Sequence, residues 1–272
     1  ANYTIDTKRP TVEQFTMSDT SLKIGDTSTV TLKFSEAVSG FNSDDDITVS
    51  NGTLTTMSTS DNITWTGTFT PNNDIEDATN VLTLSTNYTN IAGNSPSSTF
   101  NTANYTIDTK RPTVEQFTLS DTNLKIGNTA TVTLVFSEAV SGFNSDDDIT
   151  VSNGTLTTMT TSNNITWSGT FTPNNGVEDN TNVLTLSTSY TDLAGNSPSS
   201  SVNTANYAID TLAPVISEIT AITTPNNDTT PSYVFTTNEA GTISSNLNFT
   251  SSTSATAGNN TITFNTLGEG TY

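Results

Sequence analysis

Thr29-Val-Thr-Leu-Lys-Phe34 decides the fold: Val30, Leu32 and Phe34 recur at every second residue, with Thr29, Thr31 and Lys33 between them. A spacing of two puts the apolar side chains on one face of an extended chain and leaves the other face to water, which is how a half-buried strand reads. Ile63, Trp65 and Phe69 alternate with Thr64, Thr66, Thr68 and Thr70 in the same way. Working outward, residues 11–17, 46–50, 53–58, 80–86 and 100–107 are further strand candidates, and Asn51-Gly52 between two of them is a type I′ hairpin signal. No helix of consequence is expected.

Residues 1–102 and 103–204 match without a gap and differ at 16 positions, so the repeat period is 102 residues. Each repeat holds about seven short strands punctuated by Gly, Pro, Asn and Asp. The predicted fold class is therefore all-β: tandem immunoglobulin-like antiparallel sandwiches without a disulfide, forming an elongated rod. Ala205-Asn-Tyr-Ala-Ile-Asp-Thr211 opens a third unit that then diverges. The expected division is a last-strand remnant and linker at 1–7, repeats at 8–108 and 109–210, and a divergent, apparently truncated third unit at 211–272.

The differences between repeats carry information. Met17/Leu119, Ile75/Val177 and Ile91/Leu193 exchange apolar for apolar at similar volume, as core positions do. Asp26/Asn128, Asp61/Asn163 and Asp74/Gly176 drop carboxylates without compensation, as solvated positions do.

Composition narrows the function. Cys and His are both absent, which removes disulfide frameworks, thiol nucleophiles, Cys/His zinc sites and imidazole catalysis. Lys+Arg number 7 against 27 Asp+Glu, a net charge of −20, so a phosphate backbone or an anionic lipid surface would be repelled. No apolar run reaches the roughly 18 residues of a spanning helix, and Ala1–Asp6 has neither the basic flank nor the apolar core of a signal peptide. Hydrophobic residues are only 31%, but the missing share has gone to Thr, Ser and Asn, which suit the wet outer faces and turns of a thin all-β protein.

Three motifs recur in order: Asp-Thr-x-x-Pro at each unit boundary (Asp6–Pro10, Asp108–Pro112, Asp210–Pro214), Phe-Ser-Glu-Ala-Val (Phe34–Val38, Phe136–Val140) and a late Ala-Gly-Asn (Ala92–Asn94, Ala194–Asn196). Together they resemble the bacterial immunoglobulin-like tandem repeats of giant surface adhesins. The third unit is similar to a neighbouring subtype, through Phe235-Thr-Thr-Asn-Glu-Ala240 and Gly270-Thr-Tyr272. The resemblance implies a stalk in a biofilm or host-attachment adhesin on the bacterial cell surface, with an export signal outside this segment. It also implies calcium at domain junctions and, as partners, the neighbouring repeats of the same longer chain.

Calcium needs several convergent oxygens. In a seven-strand sandwich the loops near the incoming linker would group Asp108, Glu138, Asp146, Asp147, Asp148, Asp192 and Asn196 in the second repeat. The first repeat offers Asp6, Glu36, Asp44, Asp45, Asp46, Asn90 and Asn94, where Asn90 replaces the matching Asp192 and makes a weaker site whose amide oxygen can still coordinate. The third unit matches only at Asp210 and Glu239. The alternative for the Asp triplets is a solvated loop that caps a turn. Asp74, Glu76 and Asp77, with Glu178 and Asp179 as their counterparts, read as turn residues at the opposite end. Lys8-Arg9 and Lys110-Arg111 flank the junctions and could pair with carboxylates at the end of the preceding unit.

A structural stalk fits the repeats and short linkers best. The alternatives are an adhesive module that binds through a Thr-rich face such as Thr53, Thr55, Thr56 and Thr59, and a filament or surface-layer subunit assembled laterally, head to tail or by strand donation. Catalysis by paired carboxylates is disfavoured, since an active site copied almost verbatim along a rod is improbable. Trp65 and Trp167 are expected in the core rather than on a sugar-binding platform. Lys23 and Lys125 have no identifiable crosslinking partner, and the Asn-x-Thr sequons are expected by chance.

Overall fold

The computed structural model describes residues 2–272. The alternating segment forms strand Ser28–Phe34, in which Val30, Leu32 and Phe34 are fully buried. It sits in the middle of a sheet, between Val12–Met17 on one side and Thr64–Pro71 on the other, and Gly52–Leu54 and Ser58–Thr59 both pair with Thr64–Pro71. The opposing layer is broken into short ladders. Phe100–Asn101, Thr83–Leu84 and Ile47–Thr48 form one, and Thr89–Asn90 pairs with Val38–Ser39. In the third, Tyr105–Asp108 runs parallel to Ser21–Lys23 and antiparallel to Glu76–Asn80. The second repeat reproduces this arrangement strand for strand. The fold is that of tandem immunoglobulin-like sandwiches.

The chain changes sheets between Val12–Met17 and Ser21–Lys23. The corner is held by Ser28, whose buried hydroxyl donates to the Asp19 carbonyl and accepts from the Asp19 N–H. Between the layers Phe34, Phe41 and Tyr88 meet edge-on or tilted, and Trp65 packs edge-on against Phe41 at 4.9 Å. Such pairs add to the area each ring buries. Trp167 meets Phe143 likewise at 4.8 Å, so both tryptophans face their cores.

Two expectations need correction. Asn51-Gly52 is not a hairpin: Ile47–Thr48 and Gly52–Leu54 pair into different sheets, so the dipeptide is a corner. Asn51 takes a positive φ of 57° there, its Nδ2 donates to Asp77 and Asn80, and a Cβ at Gly52 would strike the Phe69 ring and lie 2.7 Å from the Thr70 carbonyl. A turn dipeptide records a sharp bend, but which strands follow the bend is a tertiary matter. Ile91 and Leu193 are exposed, at 82% and 74%, rather than in the core. They sit at the tip of the late loop, where similar volume reflects only a permissive surface. Met17, Leu119, Ile75 and Val177 do pack against the cores.

The carboxylate losses have a local explanation. Asp61 Oδ1 accepts from the N–H groups of Ile63 and Thr64, and Asn163 Oδ1 accepts from Ile165 and Thr166 in the same way. Asp26 and Asn128 likewise both accept from the lysine N–H three residues back. An amide oxygen performs the turn role as well as a carboxylate does. At Asp74 the φ is 63°, a conformation that glycine at 176 adopts freely.

The third unit pairs Ile216–Thr220, Ser232–Thr237 and Gly258–Thr263 in one sheet and Gly241–Thr242 with Ser254–Ala255 in another. Its buried core is small: Phe235, Ala255 and Ile262.

Candidate metal centre and domain boundary

Tyr105–Asp108 is the last strand of the first repeat and runs directly into the linker. Residue 108 is therefore fixed by the first repeat's sheet while its side chain reaches the second repeat. Next in sequence, Thr109 is buried against the first repeat: its hydroxyl donates to the Asn72 carbonyl at 2.7 Å and accepts from the Ile75 N–H at 3.0 Å. Beyond it the second repeat takes over. Arg111 donates to the Ser197 carbonyl, and Asn196 Nδ2 donates to the Asp108 carbonyl at 2.9 Å. Among the described residues one bond crosses between repeat bodies, from the Ile24 N–H to Asn196 Oδ1 at 2.9 Å. Lys110 also pairs with Glu76 of the first repeat at 3.3 Å, though both side chains are more than half exposed, so this pair adds little energy.

At this boundary Asp108 from the linker, Glu138 from the segment after the central strand, and Asp192 from the late loop converge, with one oxygen of each within 4.8 Å of the others. Among the described residues this is the one group of three or more such ligands. Asp192 is buried at 1% exposure. Its Oδ1 accepts from the Gly195 and Asn196 N–H groups, and its Oδ2 from Asn196 Nδ2. Burial pushes the Asp108 carboxyl above its ordinary value, and the Asp192 and Glu76 charges raise it further against the opposing effect of Lys110. Glu138 is raised for the same reason, first by burial and then by Asp192 and Asp108. At such spacing two unit charges repel by roughly 3 kcal/mol per pair at an effective dielectric of about 20. The donor set, three carboxylates of which two are half-buried and one is buried, suits a hard divalent cation such as calcium.

The Asp triplets are not members of this group. Ser43–Asp46 and Ser145–Asp148 are single helical turns capped by Asn42 and Asn144. Each acid is bonded within the body of its own repeat, away from the linker. Asp44 accepts from Thr56, Asp45 from Asn42 Nδ2, and buried Asp46 from the Asn42 N–H and the Ser85 hydroxyl. Asp146, Asp147 and Asp148 repeat these bonds with Thr158, Asn144 and Ser187. In the first repeat Asn90 sits among Asp6, Glu36 and Asn94, with its amide nitrogen, not its oxygen, turned toward the two carboxylates. At the third boundary Asp210 is exposed and Glu239 Oε1 is buried without a partner.

Sequence reasoning missed Thr109, its equivalent Thr211, and the cross-repeat role of Ile24. The threonine was legible in the recurring Asp-Thr-x-x-Pro; Ile24 gave no signal, because it acts through its backbone.

Among solved structures the chain is similar to FdeC, a broadly conserved Escherichia coli adhesin eliciting protection against urinary tract infections, at 13% identity over 84% of this chain and 72% of that one, with a TM-score of 0.34. It is also similar to the N-terminal eight Ig domains of Down Syndrome Cell Adhesion Molecule isoform 1.30.30, at 10% identity over 95% of this chain and 33% of that one, with a TM-score of 0.25. No curated protein matches it. The bacterial Ig-like domain model matches twice in tandem, at residues 6–107 and 108–209, and the chain belongs to that family.

Proposed function

We propose that this segment is an extender of a bacterial cell-surface adhesin, a non-enzymatic stalk that holds a binding module away from the cell and is stiffened by calcium between the two repeats. The observation that carries this reading is the doubly held linker: Thr109 is bonded into the first repeat, while Asp108 and Arg111 are bonded into the second. A linker tied on both sides within four residues has little freedom to bend, and short, fixed linkers are what a stalk requires. Asp108, Glu138 and Asp192 would hold the ion. Neutralising their mutual repulsion would strengthen the boundary, because a ligand that binds only the folded arrangement stabilises it.

Calcium titration by calorimetry tests the reading, with small-angle scattering and thermal melting of the whole segment in calcium and in chelator. One ion bound, a longer maximum dimension and a higher melting temperature in calcium are expected. Absence of heat, shape change and melting shift at millimolar calcium would leave a stalk held by linker bonding alone and would refute the metal assignment.

A further inference from the structure

The two repeats are a built-in comparison at one buried position. Of their 16 differences, Asn90/Asp192 alone places or removes a charge in a buried side chain at a boundary. Asn90 is 1% exposed. Its Oδ1 accepts from the Asn94 N–H at 2.9 Å, the bond that Asp192 Oδ1 makes to the Asn196 N–H at 2.8 Å, so the two side chains sit alike. The difference lies at the other terminal atom. Asn90 Nδ2 donates to Asp6 Oδ2 and Glu36 Oε2, both at 3.2 Å, and to the Lys8 carbonyl at 3.0 Å. A donor thus faces all three oxygens, and its partial positive charge lies between two carboxylates.

In the second repeat the equivalent atom is Asp192 Oδ2, an acceptor, and the Asp192 carboxylate has an oxygen within 4.8 Å of one from Asp108 and one from Glu138. Two attractive contacts have become two repulsive ones. The neighbouring amide responds: among the described residues Asn94 Nδ2 donates to the Asp6 carbonyl alone, whereas Asn196 Nδ2 also reaches Asp192 Oδ2 at 2.7 Å. One neutral amide cannot balance three carboxylates, since its dipole carries no net charge.

We infer that this position sets the cation requirement of a boundary: Asn90 closes the first boundary with an amide in place of a cation, whereas Asp192 commits the second to a divalent ion. The assignment for Asp192 rests on the calcium reading proposed above. One segment would then carry a cation-independent boundary and a calcium-dependent one, differing by a single oxygen-for-nitrogen exchange.

The reciprocal variants Asn90→Asp and Asp192→Asn test this in the whole segment, with calcium chloride as the titrant and melting in EDTA as a second readout. Expected stoichiometries are one ion for the parent, two for N90D and none for D192N. In EDTA, N90D should melt roughly 5 °C or more below the parent and D192N above it. A parent that binds one ion, with no gain in N90D and no loss in D192N, overturns this inference and leaves the calcium reading standing. A parent that binds none overturns the calcium reading and the assignment for Asp192. The role of Asn90 then stands if the two variants still melt in opposite directions in EDTA, and falls if their midpoints equal the parent's. Should N90D fail to fold in EDTA, its recovery in calcium and the behaviour of D192N decide the matter.

Discussion

Replacing Thr109 by valine tests whether the linker is held from the first repeat. The substitution keeps the side chain's shape and removes one hydroxyl. That hydroxyl is 3.0 Å from the Ile75 N–H and 2.7 Å from the Asn72 carbonyl, in a residue only 3% exposed. Valine leaves the Ile75 N–H without its acceptor, and an orphaned donor costs about 1–3 kcal/mol. Because Ile75 itself is half-buried, the lower part of that range applies, about 1–2 kcal/mol. For a domain of this size the melting point should fall by roughly 5–15 °C. Trp65 and Trp167, the only two tryptophans, report one repeat each, so a Trp167→Phe background isolates the first. That background should itself be mild, because the Trp167 indole N–H is buried without a partner and phenylalanine does away with it. Thr109→Ser should recover most of the loss, since it restores the oxygen. A Thr109→Val midpoint equal to the parent's, or a serine variant as unstable as valine, would mean that this hydroxyl does not hold the linker.

Gly52→Ala should cost about 2–3 kcal/mol, because the new Cβ meets a fully buried Phe69 ring and the immovable Thr70 carbonyl; denaturant melts followed through Trp65 check this, and Gly154→Ala should behave the same through Trp167. Lys33→Val should leave the first repeat's midpoint within roughly 2 °C: the 2.8 Å pair with Glu13 is about half exposed on both sides, and the second repeat already carries Val135 there. Burial pushes the Tyr88, Tyr105, Tyr190 and Tyr207 hydroxyls up to about 12. Above the ordinary value of 10 the unfolded chain releases these protons while the folded chain keeps them, so stability is full below pH 10 and is lost as pH rises through 12. Absorbance titration of tyrosine ionisation should therefore coincide with loss of the folded circular-dichroism signal; ionisation of all four while the sheets persist would contradict their burial.

The repeat, the all-β class and the core face of the two alternating strands were legible in the residues alone, because a 102-residue period and an alternation of two are local patterns. Asp108, Glu138 and Asp192 were among the seven candidate ligands named for the second repeat, since carboxylates near a linker are visible as residue types. Asp146, Asp147 and Asp148 fall outside that trio only in the folded chain, where their oxygens are spent on Thr158, Asn144 and Ser187 within the body of the second repeat. Composition could not make that distinction, because an acid committed to a turn and an acid facing a boundary look identical in sequence. The tertiary structure likewise turned Asn90 around, from an amide oxygen expected to coordinate into an amide nitrogen bonded to Asp6 and Glu36. It also placed Ile91 and Leu193 in water, and made the Asn51-Gly52 corner join two sheets. For Asp146, Asp148, Asn90 and the Asn51-Gly52 corner the deciding partners lie 12 to 84 positions away in the chain. Their approach is set by how the sheets stack and exists nowhere in the local pattern.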